Sequence, residues 1–474
     1  MSTTAPELNY IDCHSPHFTA MSDQIWNLAE LRYEEFASAK LHIETLEAAG
    51  FRVTRGVADI PTAFVAEAGN GGPVIGILGE YDALSGLSQE AGALTCKPSS
   101  EISNGNGHGC GHHLLGTAAH LAAAAVKEHL ERSGQPGTVR FYGCPAEEGG
   151  SGKTFMARAG LFDDLDAALT WHPSVYTGVI SGTSLANIQA YFRFRGKAAH
   201  AANSPHLGRS ALDAAELMNV GVNFLREHML PDARVHYAMT DTGGLSPNVV
   251  QPNAEVLYLV RAPRNDQATE LFERVKNVAR GAALMTDCQL EVVFDKACSS
   301  ILQNSVLNQL MDKHLQALGA PDFDADEIAL ASAFQQQTLT DEDIESASRS
   351  LAQAWRDPKP LFDHIDLYQP GKEGQLYGST DVGDVSWVTP TAQCYTACYA
   401  FGTPFHSWQL VAQGKSSLAH KGMLLAARTL AGSAIELFSA PETLAQAKAE
   451  LLERRGGKPY VCPIPDDVAL PFRR

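Results

Sequence analysis

Four places in this sequence carry the residue types that do chemistry. His108-Gly109-Cys110-Gly111-His112-His113 sets a thiol and several imidazoles among glycines that let the backbone turn tightly. Cys110 and His112 can face one centre from such a loop, and a thiolate with an imidazole suits Zn²⁺ and other divalent transition metals. Glu147 and Glu148 directly follow the apolar run TVRFYGCP. Neighbouring carboxylates point in different directions, so one can bind metal while the other handles protons. His172 closes the run AALTWHP, and His406 lies in AFGTPFHSW after TAQCYTACYAF.

Taken singly, each has an ordinary explanation: a glycine-rich turn, a solvated acidic pair, a histidine satisfied in a core. Together, all four follow an expected strand or open an expected helix of one α/β unit, so they can converge on one rim. Cys110, His112, Glu148, His172 and His406 then make five ligands, enough for two metals with one ligand shared. A two-metal site about 4 Å across polarises a carbonyl and generates hydroxide from water. Glu147 is placed to take that water's proton and deliver it to a leaving nitrogen.

Two competing motifs fail. Gly149-Gly150-Ser151-Gly152-Lys153-Thr154 resembles a phosphate-binding loop, but the pattern requires Gly where this chain has Glu147, whose carboxylate would repel phosphates. The stretch 105–111 fits the dinucleotide fingerprint in no register. Cys394 and Cys398, four apart, read as core packing rather than a redox pair, and Cys144 as a core residue of its strand.

The elements that must position these residues alternate in the first third. Periodicity predicts a helix over 24–50, closed by Gly50. Strands follow at PTAFVAEAG and PVIGILGEYDAL, then the Ala-rich helix TAAHLAAAAVKEHLERSG, then the strands TVRFYGCP and AALTWHP. This succession predicts an α/β fold with a mainly parallel sheet. From 186 the pattern changes: Ile188, Ala190, Phe192 and Phe194 alternate with polar residues, and β-α-β-β-α-β follows over about 115 residues, the ferredoxin-like order. The chain therefore divides into a first domain at 1–185 and 301–474, and an inserted α+β domain at 186–300. Residues 320–375 are acidic and read as an irregular surface excursion.

With 474 residues, the chain is too long for one core. Its net charge of −18, from 36 basic and 54 acidic residues, argues against nucleic-acid binding. No apolar run is long enough to span a membrane, and MSTTAPELNYIDCHSPHF has no secretory pattern. Nine cysteines without a spacing framework are expected to be reduced thiols, which places the protein in the cytoplasm.

The combination of HGCGH, PAEE, WHP and GKAAHA within a ferredoxin-like insert resembles the M20 metallopeptidases and amidohydrolases, in the aminoacylase-like branch that carries Cys in the first motif. GEYDAL, NGHGCGH, GCPAEEGGSGKTFMARAG and GSTDVGDVSWVTPT are similar to the p-aminobenzoyl-glutamate hydrolases of that family, and the resemblance spans nearly the whole chain. It implies a two-domain metallohydrolase with two divalent ions per subunit, Zn or Mn. It implies hydrolysis of the amide bond of an N-acyl amino acid such as p-aminobenzoyl-glutamate. Cys110 would be the bridging thiolate, His112, Glu148, His172 and His406 terminal ligands, and Glu147 the general base. Glu80 would support the metal centre. His200 would reach the partner's active site and stabilise the oxyanion, which requires a dimer, while Asn248 and Arg261 would bind substrate polar groups. Where the family has Asp or Asn after GCGH this chain has His113, a position beside the ligands that can tune metal preference. The alternative is a non-catalytic or weakly active subunit that binds acyl-amino acids or supports a homologous partner chain.

Overall fold

The computed structural model of the chain describes residues 6–472; residues 1–5, at the head of the stretch read for a secretory signal, lie outside it. Eleven strands among the described residues form two sheets. They are β1 (Arg52–Arg55), β2 (Phe64–Asn70), β3 (Val74–Glu80), β4 (Gly137–Cys144), β5 (Ala167–Ser174), β6 (Gly178–Val179), β7 (Ala186–Arg195), β8 (Arg234–Asp241), β9 (Asn253–Ala262), β10 (Gln289–Cys298) and β11 (Thr391–Ala397).

The first sheet has the order β1-β2-β4-β3-β5-β11-β6. Its four central strands, β4, β3, β5 and β11, run parallel, and antiparallel strands close both edges. β3, β5 and β11 are buried almost without interruption, because helices and loops cover both faces, as a parallel sheet requires. On one face lies the helix His112–Ser133, whose Ala118, Ala119, Ala122, Ala123 and Ala125 are wholly buried. Small side chains let this helix approach closely. At Gly116 a Cβ would stand 2.4 Å from the Glu80 carbonyl oxygen, so only glycine fits where the helix crosses the tip of β3. The indole of Trp171 donates to the Leu115 carbonyl (3.0 Å) and ties β5 to the same helix.

The second sheet, β10-β7-β9-β8, is antiparallel throughout. Ile188, Ala190, Phe192 and Phe194 face its core with the helices Ala211–Leu225 and Asn265–Thr286, the ferredoxin-like arrangement expected from the alternation. All nine cysteines are free; Cys144, Cys394 and Cys398 are buried in the core. Among the described residues no single helix is long and apolar enough to cross a membrane.

Two expectations need correction. The helix expected over 24–50 is two helices, Pro6–Leu28 and Phe36–Ala48, parted by residues 29–35. Tertiary contacts override periodicity there. Leu31 bridges to Ala83, Tyr33 donates to the Gly150 carbonyl (2.7 Å), and Glu30 accepts from the amides of Ala37 (2.9 Å) and Ser38 (2.8 Å), capping the second helix. Gly50 does follow that helix with a left-handed φ of 85°. The excursion at 320–375 is also partly helical, with helices Ala325–Thr338 and Asp341–Arg349. Reciprocal capping boxes, Asp324 with Glu327 and Thr340 with Asp343, start both. Ala331 and Phe334 anchor the first of them in a small core with Leu361 and Leu418.

Candidate metal centre

Parallel central strands put their carboxyl ends at one edge, and side chains following those ends face a common crevice. Glu80 ends β3, with Asp82 just beyond it; Glu147 and Glu148 follow β4; His172 lies near the end of β5; His406 follows β11. Cys110 and His112 arrive from the loop that opens the helix His112–Ser133.

The structure brings all five expected donors together. Cys110, His112 and His172 offer one ligand atom each within 4.8 Å of one another, and so do Cys110, Glu148 and His406. Cys110 belongs to both triples, with its Sγ 3.3 Å from His172 Nε2. Glu148 Oε2 is 3.4 Å from His406 Nε2. His112 Nε2 and Glu148 Oε1 are buried atoms without a hydrogen-bond partner. Leaving buried polar atoms unmatched is costly, and a cation between them removes that cost. A thiolate, three imidazoles and a carboxylate, two of them with orphaned atoms, fit divalent metal ions.

Orientation of the donors comes from their neighbours. Asp82 Oδ1 accepts from His112 Nδ1 (3.0 Å), which leaves Nε2 free as a ligand atom. The other Asp82 oxygen accepts from the Glu148 amide (2.9 Å), so one carboxylate sets two donors. His172 Nδ1 donates to the Pro173 carbonyl (2.8 Å), freeing its Nε2 likewise. His406 sits at a left-handed φ of 56°, held by its amide's bond to the Gly109 carbonyl (2.8 Å).

Burial and charge drive the two adjacent glutamates apart. Burial pushes the Glu147 carboxyl well above the usual range, and Glu80, Asp381 and Glu148 add to the rise. Burial also acts upward on Glu148, but its bond with His406 and the charge of His112 outweigh it and bring it down to about 2. Divergent environments for paired carboxylates are how such sites separate a proton carrier from a fixed anion. Burial lowers His172 to about 4, which favours the neutral imidazole, and pushes the Cys110 thiol up, with Glu148 adding to the rise.

A cavity of about 410 Å³ opens on these donors; Cys110, Glu147, Glu148, His172, Arg261, Ser379, Tyr395, Phe405 and His406 are among its lining residues. Arg261 donates through Nη1 to Ser379 Oγ (2.9 Å), and its buried Nε has no partner. Another cavity, of about 610 Å³, lies between Arg32, Tyr191, Arg193 and the segment 467–472, and none of the donors line it.

The remaining expected residues fall in different places. Glu80 Oε2 stands 3.3 Å from His112 Nε2, inside the centre. His113 donates to the Gly414 carbonyl (2.9 Å) and lies beside His108, with ring centroids 4.9 Å apart, so its ring is engaged with neighbours other than the five donors. His200 and Asn248 are exposed on the inserted unit and do not line the cavity. Sequence reasoning missed Asp82, although it stands two residues after Glu80 in the same motif. It also missed Lys153, visible in the sequence only as part of a phosphate-loop pattern that fails, and Asp381, its buried partner.

The glycines of the first motif are testable. Gly111 has a φ of 78°, and a Cβ there would lie 2.2 Å from Tyr399 Oη. Gly111→Ala should lower stability by about 2 kcal/mol or more from backbone strain and overlap. Thermal denaturation of the metal-free protein checks this, and an unchanged Tm would show that the loop relaxes.

The family model described as Peptidase family M20/M25/M40 matches residues 76–469. The B-type polypeptide of p-aminobenzoyl-glutamate hydrolase from Escherichia coli (strain K12) is 52% identical over 468 residues, covering 97% of this chain and 96% of that protein. The A-type polypeptide from the same organism is 30% identical over 235 residues, 46% of this chain and 51% of its own length. A solved structure from Bacillus subtilis, described as a dinuclear metal binding peptidase from the M20 family, shares the fold with a TM-score of 0.58 at 18% identity, over 90% of this chain and 99% of its own. With the family matched across most of its length and a relative more than half identical from end to end, this chain belongs to peptidase family M20/M25/M40 and is a hydrolase.

Proposed function

We propose that this hydrolase cleaves the amide bond of an N-acyl amino acid, with p-aminobenzoyl-glutamate the first substrate to test, using two divalent ions held by Cys110, His112, Glu148, His172 and His406. The observation that carries the reading is the sharing of Cys110 by two donor triples at the floor of a cavity that also contains Glu147 and Arg261. Bound ions there would polarise the scissile carbonyl and acidify a water molecule. A thiolate favours Zn²⁺, and the carboxylate and open cavity also accept Mn²⁺.

The chain's own residues do the rest. Arg261, fixed through one nitrogen to Ser379 and with Nε unmatched, presents a fork to the carboxylate of the amino-acid half. Tyr395 and Phe405 flank His172, at centroid separations of 6.1 and 5.6 Å, and offer aromatic faces to an acyl group. Glu147 accepts a proton from the attacking water and passes it to the departing nitrogen.

The body, 1–185 with 301–474, carries the donors, and the insert at 186–300 serves as lid and dimerisation unit. Leu217, Val220 and Phe224 are exposed on the helix Ala211–Leu225, as are Leu284 and Met285 at the end of the companion helix, leaving an apolar face on the insert. A second copy covers it in this reading, and brings His200 to a site its own chain does not reach. The alternative, a polypeptide that works beside a homologous chain, is favoured by the similarity to both types of polypeptide of the Escherichia coli hydrolase.

One experiment joins both questions. Purified protein is analysed for metal and assayed on p-aminobenzoyl-glutamate and a panel of N-acyl amino acids. About two ions per chain, with activity lost to a chelator and restored by Zn²⁺ or Mn²⁺, is the expected result. Metal-replete protein that is inert alone but gains activity with a homologous second chain selects the two-chain reading.

A further inference from the structure

A third triple at the centre, Glu80, His112 and Glu147, also has the spacing of a cation site. It competes for His112, which the Cys110–His112–His172 triple needs. Lys153 lies against it. This lysine is wholly buried, its Nζ 2.7 Å from Glu80 Oε1 and 2.5 Å from Asp381 Oδ1. Asp381 holds it twice, because the other carboxylate oxygen accepts the Lys153 amide (2.8 Å). Buried lysines are rare unless paired. Here both partners come from segments far apart in sequence, the tip of β3 and the turn before the helix Val382–Val388.

We propose that Lys153 is the positioning cation of this centre: its ammonium engages Glu80 so that the third triple takes no divalent ion, and through Asp381 it fixes the segment that carries Ser379. The inference rests on the metal centre proposed above. An ion between Glu80 and His112 would sit beside a fixed positive charge in a dry interior, where repulsion between like charges is strong. Lys153 thus limits which donors face metal. The same ammonium ties Glu80 to Asp381, which directly follows the cavity-lining stretch 376–380, and Ser379 in that stretch orients Arg261. The lysine of the failed phosphate loop therefore has a use: it serves the hydrolytic site as an internal counter-charge.

Metal content per chain at saturating Zn²⁺ or Mn²⁺ tests this without reference to turnover. Wild type and Glu80→Gln are expected to hold the same number of ions, because Glu80 is not a ligand in this reading. In Lys153→Met the freed Glu80 should draw an ion onto the third triple and take His112 from the Cys110–His112–His172 donors, so that with Co²⁺ as the probe the count stays that of wild type while the thiolate-to-metal absorption weakens, and Glu80→Gln/Lys153→Met should restore that absorption. Asp381→Asn should raise KM about tenfold, more than it lowers kcat, because it frees the cavity segment and leaves the donors in place. Loss of an ion in Glu80→Gln, or a wild-type thiolate-to-Co²⁺ absorption in Lys153→Met, would overturn the proposal. Should Lys153→Met fail to fold, the Glu80→Gln count and the KM-against-kcat split of Asp381→Asn decide it. Wild-type protein that binds no metal would instead refute the centre itself, which keeps the two failures apart.

Discussion

Glu147→Gln is expected to lower kcat by roughly 10²–10⁴-fold, the range for loss of a positioned general base, while the protein retains its metal. Glu147 belongs to neither triple that shares Cys110, so its carboxylate is free for proton transfer. It lines the cavity and stands 3.9 Å from His112 Nε2 through Oε2, close to the reacting region. Gln preserves the shape and removes a carboxyl whose ionised form burial and the neighbouring carboxylates disfavour, so Tm should be unchanged or higher. The measurements are steady-state kinetics and metal analysis on the same preparation. Turnover surviving in this variant would refute the base assignment, and loss of metal would make Glu147 a ligand.

The second large effect is expected at His200. Its Nδ1 accepts from the amides of Ala202 (3.3 Å) and Asn203 (3.2 Å), which leaves the proton on Nε2, pointing the ring's donor outward. The Ala201 amide donates to the Asn248 carbonyl (2.9 Å), and His200 pairs with Val249 in an isolated bridge, so His200 and Asn248 form one preset exposed unit. Its own chain's cavity lacks both. If this unit completes a partner's site, His200→Ala should lower kcat roughly 10²–10³-fold, as loss of an oxyanion donor does, with little change in KM.

Mixing the two variants separates the possibilities. Random assembly of Glu147→Gln and His200→Ala protomers gives hybrid dimers in which one site has both groups intact, and about a quarter of wild-type activity should return. No recovery on mixing, with both variants folded and dimeric, would place His200 in its own chain's site or outside the reaction. A rise only in KM would make it a binding group instead of an oxyanion donor.

Much of this is legible in the sequence. Parallel strands recognisable as short apolar runs end where chemistry-bearing residues stand, at His172 after AALTWHP and Glu147-Glu148 after TVRFYGCP, and that geometry forces convergence. Alternation alone marks the buried face of β7. Periodicity misleads at 24–50, where Leu31, Arg32 and Tyr33 leave the helix to brace Ala83 and the loop after Glu148. It says nothing of the helices within 320–375, whose start signals lie in the capping pairs and not in an apolar stripe.

The sequence by itself determined the fold class, the donor types and the candidate base, because local pattern and residue chemistry set those. Only the tertiary structure decided which atoms meet. That Cys110 is common to two triples, that Asp82 orients both His112 and Glu148, and that Lys153 bridges Glu80 to Asp381, the latter 228 residues further along the chain than the lysine, depend on the packing of distant segments. Pairings of that kind follow from how a helix crosses a strand tip, as at Gly116 against Glu80, and no local periodicity encodes them.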